Sequence, residues 1–394
     1  MPDELGFSTR SIHVHPTEPQ IPSEAIAPPI VQTSAFAFQN VAELDAVVGD
    51  SSKGFAYSRL TNPTVGLLER TVADLEGAEE AVAFASGMAA IHGVLTSLMV
   101  GGDHMVAPAS VYGGAHALFT HVLPRANLST TFVPTGNLRA MDEAMTPRTK
   151  VLYLETITNP TLEVADIAAA AEVAHRHDAV LVVDSTLASP ALCRPIEHGA
   201  DIVIHSASKY LGGHGDLIAG LAVGRKEQMR FLRKALLLTG GCTSPFVAWL
   251  ILRGIKTLDL RMERHCRNAQ AVAAALFGHP RVESVRFPGL RQHPDHDRAQ
   301  ALLGERCGGM VSFVVEGGHD AAVQVMDRLR LFRRAGSLGD AHSLVMIPAL
   351  ASHRSFSPQE RLDAGIPDGF VRLSVGLEDA SDLVADLRSA LDHP

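Results

Sequence analysis

Lys209 closes the run HSASK, which follows at once on the apolar triplet Ile202 to Ile204. Taking a lysine amine out of water is costly unless the amine is paired, neutral or covalently used. At the end of a buried strand it can form a Schiff base with a carbonyl and, once released, shuttle a proton. The plain alternative is a lysine snorkelling to water at a strand edge. Asp184 raises a parallel question at the end of AVLVVD, where apolar residues lead directly to a carboxylate. A protonated ring nitrogen or magnesium would favour its charge, and a helix cap or structural ion pair would do so equally well. Ser86-Gly87-Met88 reads as a helix start. Serine suits the cap, glycine lets backbone approach a ligand, and the free amides there suit an anion such as phosphate. Ser206 and Ser208 could add hydroxyl donors. Taken singly, each of these reads as an ordinary cap or loop residue.

The elements that must position these groups are legible as a rhythm. Short apolar runs recur at AVAFAS (81), HMVAPAS (104), TTFVPT (130), KVLYLET (150), AVLVVDST (179) and DIVIHSAS (201). Helix-length stretches such as Asp166 to His177 lie between them. Apolar strands alternating with helices predict an α/β fold with a mostly parallel sheet covered on both faces. Such sheets bind ligands at the carboxyl ends of their strands. Ser86, Glu155, Asp184, Ser206 and Ser208 all fall at those ends. A phosphate cradle, a carboxylate for a ring nitrogen and a lysine for an aldehyde together match pyridoxal 5'-phosphate.

With 394 residues, the chain can bury a large core. A formal charge of −9, with no Lys/Arg-rich block, argues against nucleic-acid binding. The stretch Arg328 to Arg334 alternates with leucines and is expected to be one solvated helix face. Four scattered cysteines without metal-ligand spacing fit a reduced, cytoplasmic compartment. The opening MPDELGFSTRSIHVHP lacks the pattern of a signal peptide. Ala81 to Val100 carries no charge over a bilayer-compatible length, but Ser86-Gly87 divides it, predicting a strand and a core helix rather than a membrane span. His293-Pro294-Asp295-His296-Asp297 has no metal-site spacing and is expected to be a solvated loop.

Three regions are expected: a proline-rich arm over 1–60, a large domain over 61–255 and a smaller α+β domain over 256–394. A long helical stretch, Ser244 to Gly278 with a bend at Gly254, holds the boundary. Strands near VESVRFPG, GGMVSFVVEGG and GFVRLSVGLED and a helix from Ser381 complete the second domain.

From Tyr57-Ser58-Arg59 to Arg372-Leu373-Ser374-Val375-Gly376-Leu377-Glu378, the motifs resemble the pyridoxal-phosphate enzymes of cysteine and methionine metabolism. These include cystathionine γ-synthase and γ-lyase, methionine γ-lyase and homoserine-ester sulfhydrylases. The resemblance implies a fold-type-I enzyme with a seven-stranded-type sheet. Lys209 would hold the cofactor aldehyde, with Ser86, Gly87, Met88, Ser206 and Ser208 at its phosphate. Tyr57 and Arg59 would complete that site from a neighbouring subunit, with Tyr57 also facing substrate. Tyr112 would stack on the ring and act as acid or base at the γ substituent. Asp184 would keep the ring nitrogen protonated, with Asn159 at the ring edge and Glu155 in the surrounding shell. Arg372 would grip the substrate carboxylate, with Ser337 nearby. A homo-oligomer, usually a tetramer, is implied, as is a small amino-acid substrate.

Several positions depart from the family pattern. The motif before the lysine reads SASK, with Ser208 in place of threonine, and Ser185 follows the aspartate where asparagine is common. Gly114 stands where methionine γ-lyases carry cysteine, and Leu236-Leu237-Leu238 replaces their Lys-Asp pair. Arg354 adds a basic residue expected beside the substrate entrance. The expected reaction is γ-elimination, most like methionine or cystathionine γ-lyase. γ-Replacement by a γ-synthase or sulfhydrylase is the alternative, as is an unusual substrate such as a sulfonium amino acid.

Overall fold

Seven strands form the larger of two sheets in the computed structural model, which describes residues 6–13, 26–50, 53–354 and 356–392. Parts of the expected arm and of the opening segment (1–5, 14–25 and 51–52) lie outside the described residues. The strands are β1 (Glu80–Phe84), β2 (His104–Pro108), β3 (Ser129–Val133), β4 (Thr149–Glu155), β5 (Val180–Asp184), β6 (Ile202–Ser206) and β7 (Gly220–Gly224). Their spatial order is β1-β7-β6-β5-β4-β2-β3, and β7 alone runs antiparallel to its neighbours. Helices cover both faces, so the central strands are buried on both sides and read as unbroken apolar runs. Six of the seven strands coincide with the runs read from the sequence. The seventh, GLAVG, is joined to β6 without a crossover helix, so the alternation of strand and helix does not announce it.

Segment 81–100 divides as expected into β1 and the helix Gly87–Leu98. Among the described residues no helix is long and apolar enough to cross a membrane. The helix predicted over Asp166 to His177 spans Ile167–Arg176, capped by the Asp166 carboxylate accepting from the Ala169 amide at 3.1 Å. The expected arm contains two short helices, Phe7–Ile12 and Val41–Gly49. The first is tied down by Ser8 donating to Asp259 and Arg10 pairing with Asp74.

The long helical stretch is two helices, Pro245–Ile255 and Leu258–Leu276, broken just after Gly254. A Cβ at Gly254 would meet the Gly212 carbonyl oxygen at 2.4 Å, so this glycine serves close approach to the loop beyond Lys209. A second sheet follows, ordered β10-β11-β12-β9-β8. Its strands are β8 (Val282–Arg286), β9 (Met310–Val315), β10 (Arg333–Arg334), β11 (Leu344–Met346) and β12 (Phe370–Ser374). The pairs are antiparallel except β10 with β11. The closing helix is Ala380–Asp392.

Two expectations are corrected. No helix face spans Arg328 to Arg334: the helix Gly318–Arg328 ends there, and Arg333–Arg334 is strand β10. Leu329 and Phe332 are drawn into the core, while the Arg330 and Leu331 amides bind the Asp386 carboxylate. Residues 293–297 are not a solvated loop either. His293 is buried, Asp295 accepts from the Val164 amide and from Arg298, and His296 opens the helix His296–Leu303.

Candidate active site

The carboxyl ends of β4, β5 and β6 lie side by side, which sets Glu155 opposite Asp184 in register. Above them opens a cavity of about 420 Å³. Its wall draws on widely separated stretches: Ser86 to Met88, Tyr112, Glu155, Asn159, Asp184, Ser206, Ser208, Lys209, Leu338, Met346 and Arg372. Most of the residues nominated from sequence therefore face one cavity.

Lys209 sits in the turn after β6, where its amide donates to the Ser206 carbonyl at 3.1 Å. Its Nζ donates to Ser337 Oγ at 2.9 Å. Burial pulls the amine down to about 8, helped by the positive charge of Arg372. The Ser208 hydroxyl is committed to the main chain of Ala219, accepting from its amide at 3.0 Å and donating to its carbonyl at 3.3 Å. It fixes the lysine turn as well as lining the cavity.

Asp184 Oδ1 accepts from the Thr186 amide at 2.9 Å, an Asx turn that points the carboxylate along the strand end. Tyr153 Oη donates to the other oxygen at 3.4 Å. Burial pushes the Asp184 carboxyl above its usual range, so a cation placed against it would be favoured. Glu155 is pushed up to about 8 by burial and by Asp184, despite accepting from the Tyr112 amide at 2.7 Å and the Asn159 amide at 3.1 Å.

Opposite, Arg372 is 3% exposed in the middle of β12. Nη1 donates to Asn159 Oδ1 at 2.9 Å and Nη2 to the Ser337 carbonyl at 2.7 Å. Its Nε is buried with no partner among the described residues. An unpaired guanidinium edge in a closed site suits a planar carboxylate. Burial lowers the Arg372 guanidinium to about 10, so it stays charged at neutral pH.

At the start of the helix Gly87–Leu98, Ser86 Oγ caps by accepting from the Ala89 amide at 3.0 Å. The Gly87 and Met88 amides, in the first turn, have no intrahelical acceptor. A Cβ on Gly87 would lie 2.9 Å from Ser206 Cβ, so only glycine lets the helix start close on the end of β6. Tyr112 lines the cavity 40% exposed, and its ring covers Gly114: a Cβ there would meet Cε1 at 2.5 Å. A side chain at 114 would thus require the phenol to shift.

Other nominated residues lie elsewhere. Within one chain Tyr57 and Arg59 do not line this cavity; Arg59 borders a separate groove of about 990 Å³. The two stack, guanidinium over ring at 5.6 Å, and Arg59 donates to the Leu237 carbonyl. The Leu236–Leu238 stretch therefore meets Arg59 rather than the cavity, with Leu238 exposed. Arg354 is exposed, and Ala351 and Ser352 form the cavity wall beside it.

A profile of the Cys/Met metabolism PLP-dependent enzymes matches residues 8–392. The chain belongs to that family. It is 45% identical to L-methionine gamma-lyase of Pseudomonas putida over 98% of this chain and 97% of that one. Identity to rat cystathionine gamma-lyase is 41%, covering 100% and 98%. To the O-succinylhomoserine sulfhydrylase of Pseudomonas aeruginosa it is 42%, covering 91% and 89%. The family's cofactor, pyridoxal phosphate, fits this site: a glycine-cleared helix start for a phosphate, a buried carboxylate for a ring nitrogen, and a desolvated amine for an aldehyde.

Some cavity residues of this family member were not nominated from sequence. Thr186 both donates to Asp184 and, through Oγ1, accepts from the Ser206 amide at 2.8 Å. The D-x-T spacing was its available signal. Met346, at the end of β11, and Ser352, in the turn beyond it, come from the second sheet's side and had none.

Proposed function

We propose that this chain catalyses γ-elimination on a short thioether amino acid of the methionine type, with pyridoxal phosphate held by Lys209, Asp184 and the start of the helix Gly87–Leu98. The charge pattern of the cavity carries the reading. Its charged lining residues are Glu155, Asp184, Lys209 and Arg372. Arg372 alone among them presents an unpaired cationic edge for a carboxylate. Much of the remaining wall is apolar: Ile91, Ile157, Leu187, Ile218, Leu338 and Met346. Methionine carries one carboxylate and an apolar side chain. Cystathionine brings a second ammonium and carboxylate, which this wall would desolvate without a counter-charge.

Bound pyridoxal phosphate supplies an imine-forming aldehyde and a ring that withdraws electrons from the substrate's Cα. Lys209, with its amine pulled down to about 8, takes the Cα proton as a neutral base. Asp184 favours positive charge against its buried oxygens. Arg372 fixes the substrate carboxylate, and Tyr112 delivers a proton to the departing sulfur. The balance is methionine plus water giving 2-oxobutyrate, ammonia and methanethiol.

A panel of methionine, cystathionine, homocysteine, homoserine esters with added thiol, and S-adenosylmethionine tests this. Methionine is expected to give 2-oxobutyrate with a kcat/KM at least ~10-fold above cystathionine, the scale of one poorly paired polar group. Preference for cystathionine, or replacement product without 2-oxobutyrate, would overturn the reading.

The same reading makes the enzyme a homo-oligomer, at least a dimer and by family habit a tetramer. The position of Arg59 on the outer groove supports its acting in a neighbouring subunit's site. Arg59→Ala and Lys209→Ala are each expected to be inactive alone. Hybrids formed by refolding the two together should recover roughly a quarter of wild-type activity, from the one intact site per hybrid dimer. No recovery would place Arg59 in its own subunit's site. Residues 61–255 and 256–394 stand as the proposed domains, with 1–60 as the arm. Four free cysteines support a cytoplasmic setting.

A further inference from the structure

Around the cavity, residues distant in sequence are joined by hydrogen bonds into one frame. It begins at Tyr112, whose amide donates to Glu155 Oε1 at 2.7 Å. The Asn159 amide donates to Glu155 Oε2 at 3.1 Å. Asn159 Oδ1 accepts from Arg372, Arg372 donates on to the Ser337 carbonyl, and Ser337 Oγ accepts from Lys209. Every link lies between 2.7 and 3.1 Å. The frame thus connects the phenol-bearing loop after β2, the end of β4, the second sheet and the lysine turn.

Glu155 holds a particular place in it. The side chain is 5% exposed and each carboxyl oxygen is taken by a main-chain amide of a different segment. Both oxygens are therefore occupied before any ligand arrives. A carboxyl in apolar surroundings beside a second acid, Asp184, is expensive to keep, as its upward shift records. A glutamine would cost less to bury but could not accept from two amides at once in this geometry: it has one oxygen, and its NH2 would face the second amide donor to donor.

We propose that Glu155 is a positioning residue: it ties the Tyr112 loop to Asn159, and through Asn159 sets where the Arg372 guanidinium grips the substrate carboxylate. The phenol that protonates the leaving group and the cation that anchors the substrate are thereby held in fixed relation. This rests on the roles given above to Tyr112 and Arg372. Misplacing such groups by about 1 Å costs on the order of 100-fold in rate.

Glu155→Gln holoenzyme tests the proposal by two readouts. The first is the equilibrium Kd, by calorimetry, of 3-(methylthio)propionate, a carboxylate lacking the amine and so unable to react. The second is kcat and KM for methionine. Expected are a visible cofactor band of wild-type intensity, a Kd raised ~10-fold and kcat lowered ~10-fold, each the scale of one lost hydrogen bond to a charged group. Because Glu155 acts through Asn159, the Kd effects of Glu155→Gln and Asn159→Ala should be non-additive in the double variant. Glu155→Asp, with the carboxyl kept but the reach shortened, should move both readouts in the same direction and serves if the glutamine variant does not fold. An unchanged Kd, or strictly additive effects, would overturn the proposal. Loss of the cofactor band with Kd unchanged in the remaining holoenzyme would also overturn it, making Glu155 a cofactor ligand. Should the wild type fail to turn over methionine, the proposed function falls, while the Kd still reports on Glu155.

Discussion

Lys209→Ala and Lys209→Arg are expected to fold and to lose at least ~10⁴-fold in kcat, the upper range for removal of a general base, with loss of covalent attachment adding to it. The alanine variant lacks the amine. The arginine variant keeps a cation near Ser337 but cannot yield a neutral nucleophile, because a guanidinium holds its proton to about pH 12 and beyond. The geometry also fixes a pH signature. In the cofactor-free protein the folded amine loses its proton at about 8, against 10.5 ordinarily, through burial and then Arg372. Between those values the unfolded chain binds more protons than the folded one, so stability rises with pH across that window and is flat below it. Thermal or denaturant melts from pH 7 to 11 should show this rise in wild type relative to Lys209→Ala, with a limiting slope of about 1.4 kcal/mol per pH unit. Aldehyde capture by the cofactor-free protein should likewise reach half its plateau rate near pH 8. Parallel stability curves for the two proteins would mean that the amine titrates as if in water, and Lys209 would lose its claim to be a base near neutrality.

Much of this site was legible because its members end strands. Asp184, Glu155 and Ser206 each close an apolar run, and a parallel sheet gathers such ends on one edge. The helix start at Ser86-Gly87 was equally readable, since capping is a local matter. What sequence did not disclose was direction and distance. Ser208 has the residue type of a phosphate donor, yet its hydroxyl turns onto Ala219 because the turn carrying Lys209 must be closed against the start of β7. β7 itself was missed for a related reason: an antiparallel return needs no crossover helix and leaves no change of period behind it. Arg354 could be placed near the entrance by its position in the chain, but that position did not tell that the wall itself would be made by Ala351 and Ser352, with Arg354 exposed beside them. The contacts between Ser337 and Lys209 and between Asn159 and Arg372 join residues 128 and 213 positions apart, which no local pattern encodes.

Arg372→Lys is expected to raise KM for methionine about 100-fold with a smaller change in kcat. The guanidinium has three tasks: Nη1 holds Asn159, Nη2 holds the Ser337 carbonyl, and the unpaired Nε edge remains for the substrate. An ammonium is a single point donor on a flexible stem and cannot serve all three directions. Losing a charge-assisted hydrogen bond to the carboxylate removes about 1.5–3 kcal/mol, or roughly 10- to 150-fold. That bond is remote from the reacting Cγ–S bond and is made alike in ground and transition states, so its loss appears mainly in KM. Arg372→Gln adds a second test. Removing the positive charge deletes one of the two causes that lower Lys209, so the amine should move up from about 8, though burial keeps it below 10.5. The half-plateau pH of aldehyde capture should then shift upward in Arg372→Gln and stay closer to wild type in Arg372→Lys, which retains a charge. A KM unchanged in both variants would show that the carboxylate is gripped elsewhere. An unshifted capture profile in the glutamine variant would show that burial alone sets the amine, and that the second sheet anchors the substrate without tuning the base.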